Sequence, residues 1–134
     1  MIRFDPSDLT LAISSGVLAP EQVAPPSDIS ESEFTRLLIA VARGLGWRTA
    51  HFRPARLKSG RWATPVQGDA TGFPDLILVR GKRLLAIELK SRSGRLRPEQ
   101  RDWLDALGLV PGVTCVVARP GDWPALMELL SSGS

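Results

Sequence analysis

Two apolar runs separated by only two residues constrain this chain more than anything else in it. Asp75 to Arg80 and Arg83 to Lys90 are rich in Leu, Ile and Val, and only Gly81 and Lys82 stand between them. A two-residue loop with glycine first suits a type II′ hairpin turn, whose first position needs positive φ. Such a turn pairs residue 80 with residue 83, and counting back along both strands sets Asp75 opposite Glu88. Side chains alternate between the two faces of a strand. Asp75, Ile77, Val79, Leu84, Ala86 and Glu88 therefore share one face, and Leu76, Leu78, Leu85, Ile87 and Leu89 share the other. The hairpin is apolar on both sides, with two carboxylates side by side at one end.

The remaining elements surround this hairpin. Ser30 and Glu33 have capping-box spacing, so the serine can accept from the amide three residues on while Glu33 reaches back. Phe34, Leu37, Leu38, Val41, Ala42 and Leu45 then recur at helical period up to Gly46. Trp47 to Phe52 reads as a strand, and residues 53–72 as a basic, mobile loop containing Arg53, Arg56, Lys58 and Arg61. Pro98 opens a further helix at its first position, Val113 to Ala118 is strand-like, and Trp123 to Leu130 closes the chain as a helix. Helix, strand, hairpin, helix, strand, helix in that order predicts an α/β fold, a mixed central sheet flanked by helices. Trp47, Trp103 and Trp123 fall in apolar patterns and are expected in the core, whereas Trp62 lies in the basic loop, where it could stack on a base. Residues 1–29 read as an N-terminal extension and linker, with a helix from about Ser7 to Leu18, packing on the core or contacting a partner. Residues 30–134 form the main domain.

Charge is distributed unevenly. Residues 34–101 carry fifteen basic against four acidic side chains, a local excess of +11 within a chain of net charge +3, and two of those four acids are Asp75 and Glu88. A polyanionic partner follows, because Lys and Arg neutralise phosphates and release counterions. The single cysteine, Cys115, and single histidine, His51, cannot found a zinc site or a nucleophile–base pair. Cys115 is expected to be buried and inert. His51 reads first as a structural polar residue at a strand end, with substrate contact as the alternative. No apolar run approaches the roughly 20 residues that cross a bilayer, so no membrane partner is expected. The first residues lack a signal-peptide layout, so a cytoplasmic location is expected.

Opposed carboxylates in an apolar hairpin are costly, because like charges across a ladder repel and desolvation adds to the penalty. Lys90, two residues after Glu88 and on its face, could compensate as an ion pair. A divalent cation fits two carboxylates better, and Mg²⁺ takes one or two of them together with waters and a substrate phosphate. A cation so held makes a bound water more acidic and stabilises charge on a phosphate. Lys90 would then position or deprotonate the attacking water, or pair with the phosphate; the residues alone do not choose.

Gly72, Phe73, Pro74 and Asp75, followed after a twelve-residue gap by Glu88, Leu89 and Lys90, resemble the PD-(D/E)XK nuclease superfamily. More narrowly they are similar to the VRR-NUC type found in phage and bacterial nucleases. Ser30, Glu31 and Phe34 opening the first long helix, Gly46 and Trp47 at its end, His51, and Leu96 to Gln100 after the second strand follow that layout over roughly residues 30–130. The resemblance implies a restriction-endonuclease-like core and a VRR-NUC domain over residues 30–134. It implies Asp75 and Glu88 as metal ligands, the Leu89 carbonyl as a further one, and Lys90 as the catalytic lysine. Glu31 is implied to hold or orient the metal through water, with Glu33 as its competitor, and Gln100 to sit beside the site or contact phosphate. The resemblance implies a Mg²⁺- or Mn²⁺-dependent endonuclease acting on DNA, selective for branched, flap or junction structures, and a homodimer. Arg53, Arg56, Lys58 and Arg61, or Arg92, Arg95 and Arg97, would carry the DNA path. The rival reading is an inactive nucleic-acid-binding or assembly module on the same fold.

Overall fold

The hairpin forms in the register that its turn dictates. In the computed structural model, which describes residues 5–52, 55–56, 59–60, 62–63 and 68–133, β4 (Leu76–Arg80) pairs antiparallel with β5 (Arg83–Leu89). Leu76 faces Ile87 and Arg80 faces Arg83. Gly81 has φ +59 while Lys82 is not at positive φ. That combination selects type II′ over type I′, which needs positive φ at both loop residues.

β5 is an inner strand. On its free side lies β6 (Val113–Ala118), parallel to it, and beyond β4 lies β1 (Arg48–His51), antiparallel; the order is β1-β4-β5-β6. A parallel neighbour can only be reached by a crossover, and α3 (Pro98–Gly108) supplies it. The five residues Leu85 to Leu89 are all buried, as befits a strand covered on both faces. The predicted mixed α/β sheet flanked by helices is thus present.

One face of the sheet carries the main core. Leu76, Leu78, Leu85, Ile87 and Leu89 meet Phe34, Leu38 and Val41 of α2 (Glu31–Gly44) and Leu126, Met127 and Leu130 of α4 (Trp123–Ser131). Ser30 Oγ accepts from the Glu33 amide at 3.1 Å and so caps α2. Only that half of the expected capping box forms among the described residues; the Glu33 side chain instead lines a cavity of about 540 Å³ between α2 and the N-terminal segment. That segment packs on the core. In α1 (Pro6–Ser14) Leu9 and Ile13 are buried, and Thr10 Oγ1 donates to the Ala40 carbonyl at 2.8 Å. A Cβ on Gly44 would lie 2.6 Å from Ile13 Cβ, so glycine is what lets the two helices approach. α1 stops at Ser14, short of the expected Leu18, just before Gly16 turns left-handed with φ +79.

Three other expectations need correction. The stretch 53–72 is not wholly a loop: β2 (Ala55–Arg56) and β3 (Trp62–Ala63) pair antiparallel, Arg56 opposite Trp62. The side chains of Arg53, Arg56, Lys58, Arg61 and Trp62, and what they touch, lie outside the described residues. Trp103 is half-buried outside the core. Its indole N–H needs a partner, as buried Trp usually does, and donates to the Asp69 carbonyl at 2.9 Å. Its ring packs edge-on against Phe73, with centroids 5.0 Å apart. Cys115 is half-buried rather than core, because the helix over its face covers β6 incompletely. What burial there is raises its thiol pKa, and nearby Asp105 adds to that, which disfavours the reactive thiolate. Trp47 and Trp123 are core residues as expected.

At the far tip of the hairpin, Arg80 and Arg83 stack on the Trp47 ring at 4.5 and 5.1 Å and donate to carbonyls at the end of α4. The chain's end is thereby fixed to the sheet.

Gly72 anchors the segment that enters β4. Its φ is +85, and a Cβ there would lie 2.7 Å from the backbone carbon of Glu99 in α3. Both backbone strain and overlap oppose any side chain. Gly72→Ala is expected to destabilise the fold by on the order of 2–4 kcal/mol, measured by urea unfolding. A loss under about 0.5 kcal/mol would mean that the segment yields freely.

Candidate active site

The site lies where the hairpin strands end opposite the turn. Asp75 directly precedes β4, and two bonds extend the ladder to it: the Phe52 amide donates to its carbonyl at 3.0 Å, and the Leu89 amide to its Oδ2 at 3.3 Å. Asp75 thus faces Glu88 on one side and Phe52 on the other, and Glu88 faces Val117 of β6. These four side chains form one row on the face of the sheet that α3 covers.

Glu88 is 1% exposed, a carboxyl inside the protein. Gln100, from the first turn of α3 and itself buried, donates Nε2 to Glu88 Oε1 at 2.6 Å. The same glutamine accepts the Arg97 amide on its own Oε1 at 2.9 Å, which fixes its orientation. Lys90 Nζ lies 3.6 Å from Glu88 Oε1. Glu88 Oε2 is buried and no donor group reaches it; the Asp75 carboxyl lies beside it. Burial, then the Asp75 charge beside it and a hydrogen bond of the protonated carboxyl to Asp75, push the Glu88 carboxyl up to about 8, while Lys90 pulls the other way. Without a cation, burial and Asp75 favour the protonated form of Glu88.

Glu31 joins this group from the first turn of α2. Partial burial raises its carboxyl pKa; the Lys90 ammonium lowers it and the Asp75 charge raises it again, so Glu31 is within electrostatic reach of both. Glu33, its competitor, points into the cavity under the N-terminal segment. Among the described residues no three His, Cys, Asp or Glu side chains enclose a common point. The Lys90 amide donates to Ala118 on β6, whereas the Leu89 amide turns to Asp75. In an extended strand the N–H and C=O of one residue face the same neighbour, so the Leu89 carbonyl is turned to the Asp75 side. Asp75, Glu88, Lys90, Leu89 and Gln100 are thus brought together, with Glu31 within electrostatic reach of Asp75 and Lys90. His51 faces the fully buried Leu76, on the opposite side of the sheet from this row. Arg92, Arg95 and Arg97 are exposed on the loop between β5 and α3, Arg97 with Glu99 at 3.5 Å.

The family model of the VRR-NUC domain matches residues 43–119, more than half of the chain and both halves of the carboxylate–lysine motif. The chain belongs to the VRR-NUC family. VRR-NUC is a nuclease-type domain of the PD-(D/E)XK class; domains of this class typically use divalent metals, and DNA is the substrate that such a domain implies. Neither a curated protein nor a solved structure matches the chain. Glu31 lies outside the matched VRR-NUC span, so its place rests on the geometry alone.

Two residues near the VRR-NUC motif escaped the sequence reading. Phe52 is 44% exposed yet stands in the same row as Asp75, its ring edge-on to Phe73 with centroids 5.6 Å apart. Continuing the β1–β4 register by one residue past His51 would have found it. Arg119 donates to two backbone carbonyls after Lys90, and no side-chain pattern announces that.

Proposed function

We propose that this VRR-NUC chain is a Mg²⁺- or Mn²⁺-dependent endonuclease that hydrolyses DNA phosphodiester bonds. The observation that carries the reading is Glu88 Oε2, a buried carboxyl oxygen that no donor group reaches, beside the Asp75 carboxyl and within 3.6 Å reach of Lys90 through its sister oxygen. Buried polar atoms without partners cost the fold free energy and are rare. A divalent cation would satisfy this oxygen, and two carboxylates, a strand carbonyl and waters are a donor set that Mg²⁺ accepts. When bound, it would supply charge for the phosphate and a more acidic water.

The chain's own residues do the rest. Gln100 donates to one oxygen of Glu88 and leaves the other for the cation. Lys90 presents an ammonium at the edge of the pair, where it can hold a phosphate oxygen or position the attacking water. Glu31, within electrostatic reach of Asp75 and Lys90, can hold a water between itself and the cation. Arg92, Arg95 and Arg97, with the basic residues of 53–61, supply phosphate contacts that carry no sequence information. Branched or otherwise structured DNA is the preferred substrate in this reading. Phe52 supports it, since an exposed ring beside the reacting phosphate can stack only on a base that has left the duplex.

A module that only bound nucleic acid would gain nothing from facing carboxylates. Incubating the protein with linear duplex and with a branched duplex decides the matter. Cleavage is expected with Mg²⁺ or Mn²⁺, faster on the branched DNA, and none in EDTA. Cutting that continues unchanged in EDTA would refute the metal mechanism. Tight DNA binding with no cutting in either metal would favour the binding module.

A further inference from the structure

We infer that Arg119, at the end of β6, is a positioning residue that clasps the turn following Lys90 and thereby confines the lysine beside Glu88. The inference rests on the reading of Lys90 as the working lysine.

The register places the two residues together. Glu88 pairs with Val117 and Leu89 with Ala118, and the Lys90 amide donates to the Ala118 carbonyl at 3.0 Å, the last bond of that ladder. Arg119 is thus the ladder neighbour of Lys90, two cations side by side. Left to themselves they would repel, but the guanidinium turns to carbonyl dipoles instead. Its Nη1 donates to the Ser91 carbonyl at 2.8 Å and to the Gly94 carbonyl at 2.6 Å. The Ser91 carbonyl also accepts the Gly94 amide at 3.3 Å, closing the turn.

The clasped turn lies against the lysine. A Cβ on Gly94 would come within 3.5 Å of Lys90 Cδ and 3.2 Å of Ser91 Oγ, so the backbone of Gly94 forms a wall along the lysine stem. Lys90 is correspondingly only 9% exposed, unusual for a side chain with four rotatable bonds that normally reaches water. The base of the clasp is rigid as well: the Arg119 amide donates to Asp122 Oδ2 at 2.9 Å at the start of the final helix. The chain therefore runs from a fixed strand end, through the guanidinium, to the turn that walls the lysine. Without the clasp, residues 91–94 are an exposed turn held by one long hydrogen bond, and the lysine stem loses its wall.

Arg119→Met keeps length and packing but loses the donors, and Arg119→Lys keeps the charge with a single donor group in place of the fork. Two measurements are made on each. The first is kcat and KM for DNA cleavage in Mg²⁺. The second is the rate at which acetic anhydride acetylates Lys90 in the metal-free protein, read by mass spectrometry, which needs no cleavage at all. Arg119→Met is expected to lower kcat by roughly 10–100-fold with little change in KM, the scale of a displaced reacting group. It should also raise Lys90 acetylation severalfold. Arg119→Lys should fall between it and the wild type in both. Should Arg119→Met not fold, Arg119→Lys carries the same test. Unchanged kcat together with unchanged acetylation would overturn the inference, as would a raised KM at constant kcat, which would make Arg119 a phosphate contact. If the wild type cuts no DNA, the proposed function falls, while the acetylation rates still support or overturn the clasp.

Discussion

Lys90→Ala is expected to reduce DNA cleavage by about 10²–10³-fold or more, the usual loss when a charge placed at the reacting centre is removed. The ammonium is largely buried, 3.6 Å from Glu88 Oε1, and is the cation that pairs with this carboxyl among the described residues. DNA affinity should change little, since the affinity comes from the many basic side chains of residues 34–101, of which this is one. The slope of log affinity against log salt should shift by no more than about one unit. Filter binding in Ca²⁺, beside single-turnover cleavage in Mg²⁺, separates the two effects. A parallel loss of both would make Lys90 a phosphate clamp and leave the water without its assigned partner.

A second large effect is expected from Glu88→Gln. In the metal-free fold the Glu88 carboxyl is pushed up to about 8, whereas in the unfolded chain it ionises near its ordinary 4.5. Folding therefore holds a proton that unfolding releases between those values. The sign follows from linkage: this contribution to stability is complete below about pH 4.5, declines as pH rises, and is gone once pH has passed about 8. Metal-free wild type should lose stability over that window, and Glu88→Gln, which has no proton to lose, should not. Near pH 8.5 the variant is expected to be the more stable by on the order of 2 kcal/mol, several degrees in Tm. Added Mg²⁺ should reverse the order by stabilising the wild type alone, by about 2.7 kcal/mol at a hundred times its Kd. Thermal unfolding at pH 5, 7 and 8.5, with EDTA and with Mg²⁺, gives all of these numbers. Parallel pH profiles for the two proteins, or an equal response to Mg²⁺, would show that Glu88 neither holds the proton nor meets the metal.

The features legible in the sequence were those with local, periodic causes. Gly81 and Lys82 set a turn, the turn set a register, and the register set Asp75 against Glu88. Gln100 is legible through the resemblance carried by Leu96 to Gln100, not through periodicity; Pro98 marks only the start of its helix. Other features have causes that no periodicity carries. The β2–β3 pair consists of two residues on each side, too short to show an alternation. Trp103 looked like core because its spacing is helical, but its N–H is satisfied by a carbonyl 34 residues away, which is a tertiary fact. Arg119 binds main-chain oxygens, and every residue has one, so nothing in the composition of Ser91–Gly94 points to it. The packing of α1 on α2 depends on Gly44 having no side chain, which reads in sequence only as a weak point in a helix.

The type II′ turn also governs how this gene can change length. The tip at Gly81 and Lys82 lies six residues from Asp75 along the strand, about 20 Å from the carboxylates. Extra residues in the turn itself would alter the gap between the two halves of the motif and leave the pair facing as before. A single residue inserted within β4 or β5 would instead reverse every side chain beyond it, turning a carboxylate into the main core and a leucine towards the substrate. Lengthening without damage inside the paired part requires two residues on each strand together. Insertions at the tip and absence of insertions in the strands are the pattern of tolerance to look for when the coding sequence is mutagenised at random.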